Sequence, residues 1–418
     1  MAAERRVSSL LPRWENTYDF TLGIDWGTDG VRADLHCHQN GHNQEVAIVP
    51  PPTMQDTLFL RHRSEKQFSS YIYPFDHSDP NTPGATVYAG NIPVPRRLSI
   101  SSKFGMYAIV GTLDETIRHC SQIQELCDLV QQKPQLKQIL RLGIEQAMLS
   151  VLKKVYEVLR VMPSAFSRPI GTIVLTVPAQ WTMAFEEEYG ERFLSAWDQV
   201  FDFEAPAIIF LNEGQTNLHF YLFRDMMRAQ TERLGPVDQG SIAGVKRHSA
   251  LLIFDAGRHS TNSSLVTISQ DNHQLEARPD QAKEAWGNLF DFPFEAFPIE
   301  FENGGLKRFY SECQYYNGHN CATFSFNNFG RHRRSFRFDI SGEKIVKAFE
   351  DANMHTFALI EQGVLELKNL QGQCEEVNIL VGGGAALGCM WRARIARICE
   401  KYDMKFPVYL SKTENAHE

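Results

Sequence analysis

Three times along this chain a short apolar run stops at a glycine-bearing turn and a new element begins. The runs are Thr21–Trp26 before Gly27, Ser249–Phe254 before Asp255-Ala256-Gly257, and Val377–Val381 before Gly382-Gly383-Gly384. Continuous apolar runs of this length suit strands buried on both faces. The glycines permit tight turns and close backbone approach that a Cβ would block. In two of the three units an aspartate, Asp25 or Asp255, marks the strand end. No fixed-period repeat accompanies them.

The intervening segments alternate helix and strand. From about Leu113 to Arg160 apolar residues recur at steps of three and four, among them Leu136, Leu140, Ile144, Ala147, Val151 and Val155, which predicts helix. Thr172–Val177 reads as a buried strand, 186–200 as a helix, and Ala207–Leu211 as a strand running into Asn212-Glu213-Gly214 and a helix through Phe223. Ser263–Ile268 returns as a strand, 342–370 is helical with Phe349, Phe357, Ile360, Val364 and Leu367 on its inner face, and a last helix reaches Cys399. Residues 1–18 read as a mobile tail, 50–100 as loop with short strands, and 228–248 as a linker. The stretch 270–340 is aromatic-rich, with Phe290 to Tyr316 expected mostly as core and otherwise as an apolar pocket. The run Arg331-His332-Arg333-Arg334 with Arg337 reads as a solvated loop.

Length and charge narrow the function. At 418 residues two or three domains are expected. With 42 Lys and Arg against 50 Asp and Glu, the net charge of −8 argues against a general nucleic-acid binder. No apolar run reaches the roughly 18 residues of a membrane span, and the first twenty residues lack a signal-peptide core. The 8 cysteines form no CxxC, so free thiols in a cytoplasmic protein are expected. The 14 histidines form no HxxxH pair on a helix, and no zinc site is expected.

Four patterns, in order, resemble the sugar kinase–heat-shock–actin superfamily. GIDWGT at Gly23–Thr28 is similar to its first phosphate loop. VLTVPAQW at Val174–Trp181, followed by NEG at Asn212–Gly214, is similar to the connecting segment of the seventy-kilodalton heat-shock chaperones. LLIFDAG at Leu251–Gly257 is similar to the second phosphate loop, and ILVGGG at Ile379–Gly384 to the adenosine loop. The Trp after VPA, the entry to the helix at Ser341–Glu343, and SSKF at Ser101–Phe104 look most like a divergent, fungal-type branch.

The resemblance spans roughly residues 20–400. It implies an α/β, two-lobed actin-like ATPase (ribonuclease H-like) fold, with mixed sheets flanked by helices and a cleft between the lobes. Lobe I would cover 19–247 and lobe II 248–405, with a short C-terminal remnant at 406–418. It also implies ATP and Mg²⁺ as ligands. Asp25 and Asp255 would hold the metal through water. Gly27, Thr28, Gly257 and Ser260 would cradle phosphate, and Gly382, Gly383 and Gly384 the adenosine. Glu213 would orient the attacking water, with Lys103 as the family's catalytic lysine.

Several residues depart from the family pattern. Its second phosphate loop reads Asp-x-Gly-Gly-Gly-Thr-x-Asp. Here Arg258 and His259 replace two glycines and Asn262 replaces the second carboxylate. If they face the cleft, Arg258 is an anion ligand and His259 a proton carrier; otherwise the loop has drifted outward and both are solvated. Gly214 stands where the family has Pro, and no peptide-binding domain follows before Glu418. The expectation is a nucleotide-binding protein with weak or altered hydrolysis and a small-molecule or protein client. The alternatives are a pseudo-ATPase scaffold and a cleft recruited to small-molecule chemistry of specialised metabolism.

Overall fold

The computed structural model describes residues 20–28, 30–39, 42–50, 67–76, 79, 82–89, 99–111, 120–161, 170–178, 180–214, 216, 249–257, 260–268, 275–277, 283–286, 321–329, 334–383 and 388–409. The first half begins with β1 (Phe20–Trp26), β2 (Gly30–Gln39), β3 (His42–Ile48), β4 (Phe68–Ser69), β5 (Tyr71–Phe75), β6 (Pro83–Ala89) and β7 (Ile100–Ser101). Three helices follow: α1 (Ser102–Val110), α2 (Ser121–Gln132) and α3 (Leu136–Val161). Then come β8 (Ile170–Val177), α4 (Met183–Trp197) and β9 (Ala207–Asn212).

The second half opens with β10 (Ser249–Ala256), β11 (Ser260–Ile268), β12 (Leu275–Ala277) and β13 (Lys283–Trp286). It continues through β14 (Cys321–Phe329), β15 (Arg334–Ser341), α5 (Gly342–Leu370), β16 (Glu376–Gly382), α6 (Cys389–Lys401) and β17 (Val408–Tyr409).

This is an α/β protein with mixed sheets flanked by helices. The two six-stranded sheets share one plan. The first runs β3-β2-β1-β8-β9 with β4 beside β2, and the second β12-β11-β10-β16-β17 with β13 beside β11. In each, the central strand pairs antiparallel with the next strand in sequence and parallel with a distant one: β1 with β2 and β8, β10 with β11 and β16. Smaller sheets pair β5 with β6 and β7, and β14 with β15.

The central strands are the apolar runs of the sequence. Phe20, Leu22, Ile24 and Trp26 alternate into the core of the first half, while Ser249 to Phe254 of β10 are buried without interruption. A half-buried strand gives the first pattern and one covered on both faces the second. On the first sheet, α3 buries Leu136, Leu140, Ile144, Ala147, Val151 and Val155, and α4 buries Phe185, Tyr189, Phe193 and Trp197. On the second, Phe349, Phe357, Ile360, Val364 and Leu367 of α5 join Leu252, Phe254 and Ile395 in a separate core. Each such apolar side chain contributes on the order of 1.5–3 kcal/mol on burial.

Within the helical stretch expected over 113–160, the described residues form two helices, α2 and α3, parted at Lys133–Gln135, where Pro134 lacks the amide donor a continuous helix needs. The basic run is only in part a loop candidate: Arg334 and Arg337 lie in β15, and 331–333 lie outside the described residues. So do the tail 1–18, the linker 228–248 and the aromatic cluster between Phe290 and Tyr316. The segment from Phe406 contributes β17, which pairs parallel with β16 at Leu380–Val408 and Val381–Tyr409.

Among the described residues, Cys120, Cys127, Cys374, Cys389 and Cys399 form no disulfide. Burial pushes Cys399 up to about 11, and raises Cys127 and Tyr189 as well. The folded state therefore keeps these protons to higher pH than the unfolded chain does. The stability they contribute is full below the ordinary thiol range and lost as pH rises toward 11. Urea unfolding at pH 8, 9.5 and 10.5 is expected to show a falling midpoint. Cys399→Ala is expected to make that fall shallower.

Candidate functional site

The β1–β2 hairpin turns at Gly27–Gly30. The Gly27 amide donates to the Gly30 carbonyl at 3.0 Å, and a Cβ on Gly27 would lie 2.9 Å from that same oxygen. The turn is fastened from below by a serine cluster. Ser70 and Ser101 hydroxyls, both buried, donate to the Thr28 carbonyl at 2.5 and 2.7 Å. Trp26 Nε1 donates to Ser102 Oγ at 2.7 Å. Thr28 itself is buried.

Asp25, two residues before Gly27, pairs in register with Arg32 across the hairpin and with Thr176 of β8. The Thr176 hydroxyl donates to Asp25 Oδ1 at 2.9 Å, and Arg32 Nη1 lies 3.9 Å from Oδ2. The Asp25 side chain is 49% exposed, leaving a carboxylate that is oriented by one hydrogen bond and still reaches solvent.

The β10–β11 hairpin repeats this placement. Asp255, two residues before Gly257, pairs in register with Asn262 across the hairpin and with Gly382 of β16. Gly383 follows with φ +88. A Cβ there would meet the Ala256 carbonyl group and lie 2.6 Å from Asp255 Oδ1. Bare backbone is thus obligatory where the end of β16 passes the Asp255 carboxylate. Gly257 is exposed, and Ser260 opens β11. Arg258, His259 and Gly384 lie outside the described residues.

Lys103 and Glu213 come together. Lys103, in the first turn of α1, places Nζ 3.0 Å from Glu213 Oε1, with side-chain exposures of only 3% and 9%. The second Glu213 oxygen accepts from Asn262 Nδ2, on β11 of the other sheet. Glu213 is therefore held by one half of the fold through Lys103 and by the other through Asn262. Coulombic attraction at this depth is weakly screened, so the pair stands against its own desolvation cost only while both partners remain.

Sequence reading placed Asp25, Lys103, Glu213, Asp255 and the glycines, and did not single out Ser70, Thr176 or Ser264 as site residues. It noted Asn262 only as a lost carboxylate. One signal was available: Ser260 to Ser264 is a polar run inside a strand, and Thr261, Asn262, Ser263 and Ser264 are all buried. Four consecutive buried polar residues require partners on both faces of the strand.

Among the described residues no group of three or more His, Cys, Asp and Glu side chains is arranged to hold a metal ion. No helix among them is long and apolar enough to cross a membrane. Compared with protein-family models and with curated protein sequences, the chain gives no match.

Proposed function

We propose that the chain has a two-lobed actin-like ATPase fold, one lobe around each six-stranded sheet, and binds Mg-ATP between them with hydrolysis weak or absent. The observation that carries this reading is the duplicated hairpin. Two sheets of the same strand order each present an aspartate two residues ahead of the turn glycine, at the same hairpin register and beside the end of the parallel strand.

The residues fit the ligand. Asp25 offers hard carboxylate oxygen to solvent, the donor that Mg²⁺ takes directly or through water. Gly383 lets the end of β16 pass flush against the Ala256 carbonyl group and the Asp255 carboxylate, where a Cβ would clash, which keeps bare backbone beside Asp255. Mg²⁺ with ATP supplies, when bound, charge neutralisation along the polyphosphate. Asp25 and Asp255 would hold the metal's water shell, and Gly382 and Gly383 would back the nucleoside. Thr176 keeps the Asp25 carboxylate in one orientation.

Weak hydrolysis is favoured by the state of Glu213. A carboxylate that activates water must be able to turn an oxygen toward it, and each hydrogen bond it already accepts restricts that turn. Both Glu213 oxygens are engaged, one by Lys103 and one by Asn262.

The test is calorimetric titration with Mg-ATP together with phosphate release on the same sample. Micromolar binding is expected, weakened tenfold or more by Asp25→Ala, with release near background. Absence of binding removes the reading. Rapid release that Glu213→Gln abolishes removes the reading that Glu213 is held away from water, and rapid release of any kind removes weak hydrolysis.

A further inference from the structure

The strands β1, β2 and β3 alternate between two faces of the first sheet. Leu22 of β1, Ala33 and Leu35 of β2 and Ile48 of β3 are buried. Thr21, Gly23, Asp34, His36 and Ala47, each one position along from a buried residue, are half-buried or exposed. Successive side chains on a strand point to opposite faces. These residues therefore make up the outer face of the sheet.

Histidines gather at one end of that face. Asp34 to Glu45 reads DLHCHQNGHNQE, with three histidines, one cysteine and two acids. Pairing across β2 and β3 sorts them. His36 is opposite Glu45, Cys37 opposite Gln44, His38 opposite Asn43 and Gln39 opposite His42. His36, His38 and Glu45 thus share the outer face with Asp34, while Cys37 and His42 fall on the other. For 37–45, whose side chains lie outside the described ones, this is placement by backbone register. The sequence supports the register independently. Asn40-Gly41 separates Gln39 from His42, and Asn-Gly is the pair that most favours a two-residue hairpin.

The spacing suits a metal ion. Residues directly opposite in an antiparallel pair have Cβ atoms about 4.5–5.5 Å apart, and residues two apart on one strand are separated by about 6.5–7 Å. Two imidazoles and a carboxylate so placed can reach one ion at ligand distances of about 2.0–2.2 Å. On β1, Thr21 and Gly23 lie beside His36 and Asp34, and neither is bulky or cationic. Sequence reading looked for histidine pairs at helical spacing. On a strand the spacing that brings two residues to one face is two.

We propose that His36, His38 and Glu45 form a Zn²⁺ site on the outer face of the β2–β3 hairpin, with the fourth tetrahedral position left to water. Two imidazole nitrogens and one carboxylate are a donor set that Zn²⁺ takes, whereas Mg²⁺ prefers oxygen. The site does not rest on nucleotide binding. Asp25 is opposite Arg32, four residues back along β2 from His36.

Calorimetric titration of the full chain with Zn²⁺, after a chelator has stripped it, tests the site. Stoichiometric binding in the micromolar range is expected, unaffected by excess Mg²⁺. His36→Ala, His38→Ala and Glu45→Gln are each expected to weaken it about tenfold or more, no less than losing a group that merely orients a ligand costs. Cys37→Ser and His42→Ala, on the other face, are expected to leave it unchanged. Zn²⁺ is also expected to raise the thermal midpoint of the parent and of His42→Ala, and not that of His38→Ala, because binding stabilises only a folded site. Absence of Zn²⁺ binding would overturn the proposal, as would displacement by Mg²⁺ or binding that the three outer-face variants leave intact. Losses as large in Cys37→Ser or His42→Ala as in His38→Ala would overturn it too. If a histidine variant does not fold, Glu45→Gln against His42→Ala decides the matter.

Discussion

Replacing Glu213 by leucine lowers the unfolding free energy by about 3–5 kcal/mol, as breaking a buried ion pair from one side does. The loss is not the worth of the pair. It is the cost of taking the Glu213 carboxylate away from the Lys103 ammonium at 3% exposure, together with an Asn262 amide that has lost this acceptor. Lys103→Met alone costs a similar amount, because the carboxylate is then the uncompensated charge. The double variant Lys103→Met/Glu213→Leu recovers most of the loss, since two apolar side chains of similar volume need no solvation. Urea midpoints of the four proteins, with unchanged slopes, give the coupling directly. Additive losses in the double variant would mean that the two charges are solvated independently and the buried pair does not exist in solution.

The second large effect is at Gly383. Alanine at φ +88 carries the left-handed penalty of about 1–2 kcal/mol. Its Cβ would also press on the Ala256 carbonyl group and the Asp255 carboxylate, and overpacking of this kind typically costs about 1–3 kcal/mol more. Gly383→Ala is thus expected to lose on the order of 3 kcal/mol. On the proposed function it also weakens Mg-ATP binding, because the displaced backbone is the floor of the nucleoside site. Gly111→Ala is the control. Gly111 caps α1 at φ +77 with nothing within 4 Å of its Cβ position, so it carries only the conformational penalty of about 1 kcal/mol. Equal losses at the two glycines would show that the Asp255 contact is absent in solution.

The candidate site was legible where its signals are local. Asp25 and Asp255 stand out because each ends an apolar strand just ahead of a turn glycine, and the period-two burial of β1 keeps Phe20, Leu22, Ile24 and Trp26 inward. Lys103 was found through a short motif, and its neighbours give that motif physical content. Ser101 reaches the Thr28 carbonyl, Ser102 the Trp26 indole and Lys103 the Glu213 carboxylate. Three consecutive residues at the start of α1 thus fasten the first hairpin and Glu213 together. The break between α2 and α3 was also legible at Pro134, inside the stretch 113–160 whose periodicity is helical.

By itself the sequence determined the α/β class, the apolar strands β1, β10 and β16, the span of α5 and the glycine turns, because burial on one or both faces of an element imposes a period that the order of residues records. The tertiary structure alone decided which remote groups meet. Lys103 reaches Glu213 across 110 residues, and Glu213 reaches Asn262 across 49. It also decided that the two sheets share one strand order and that Val408–Tyr409 joins the second of them. A periodic pattern states that a face is covered and is silent on what covers it. The partner is set by how whole sheets and helices pack, and no local run of residues carries that information.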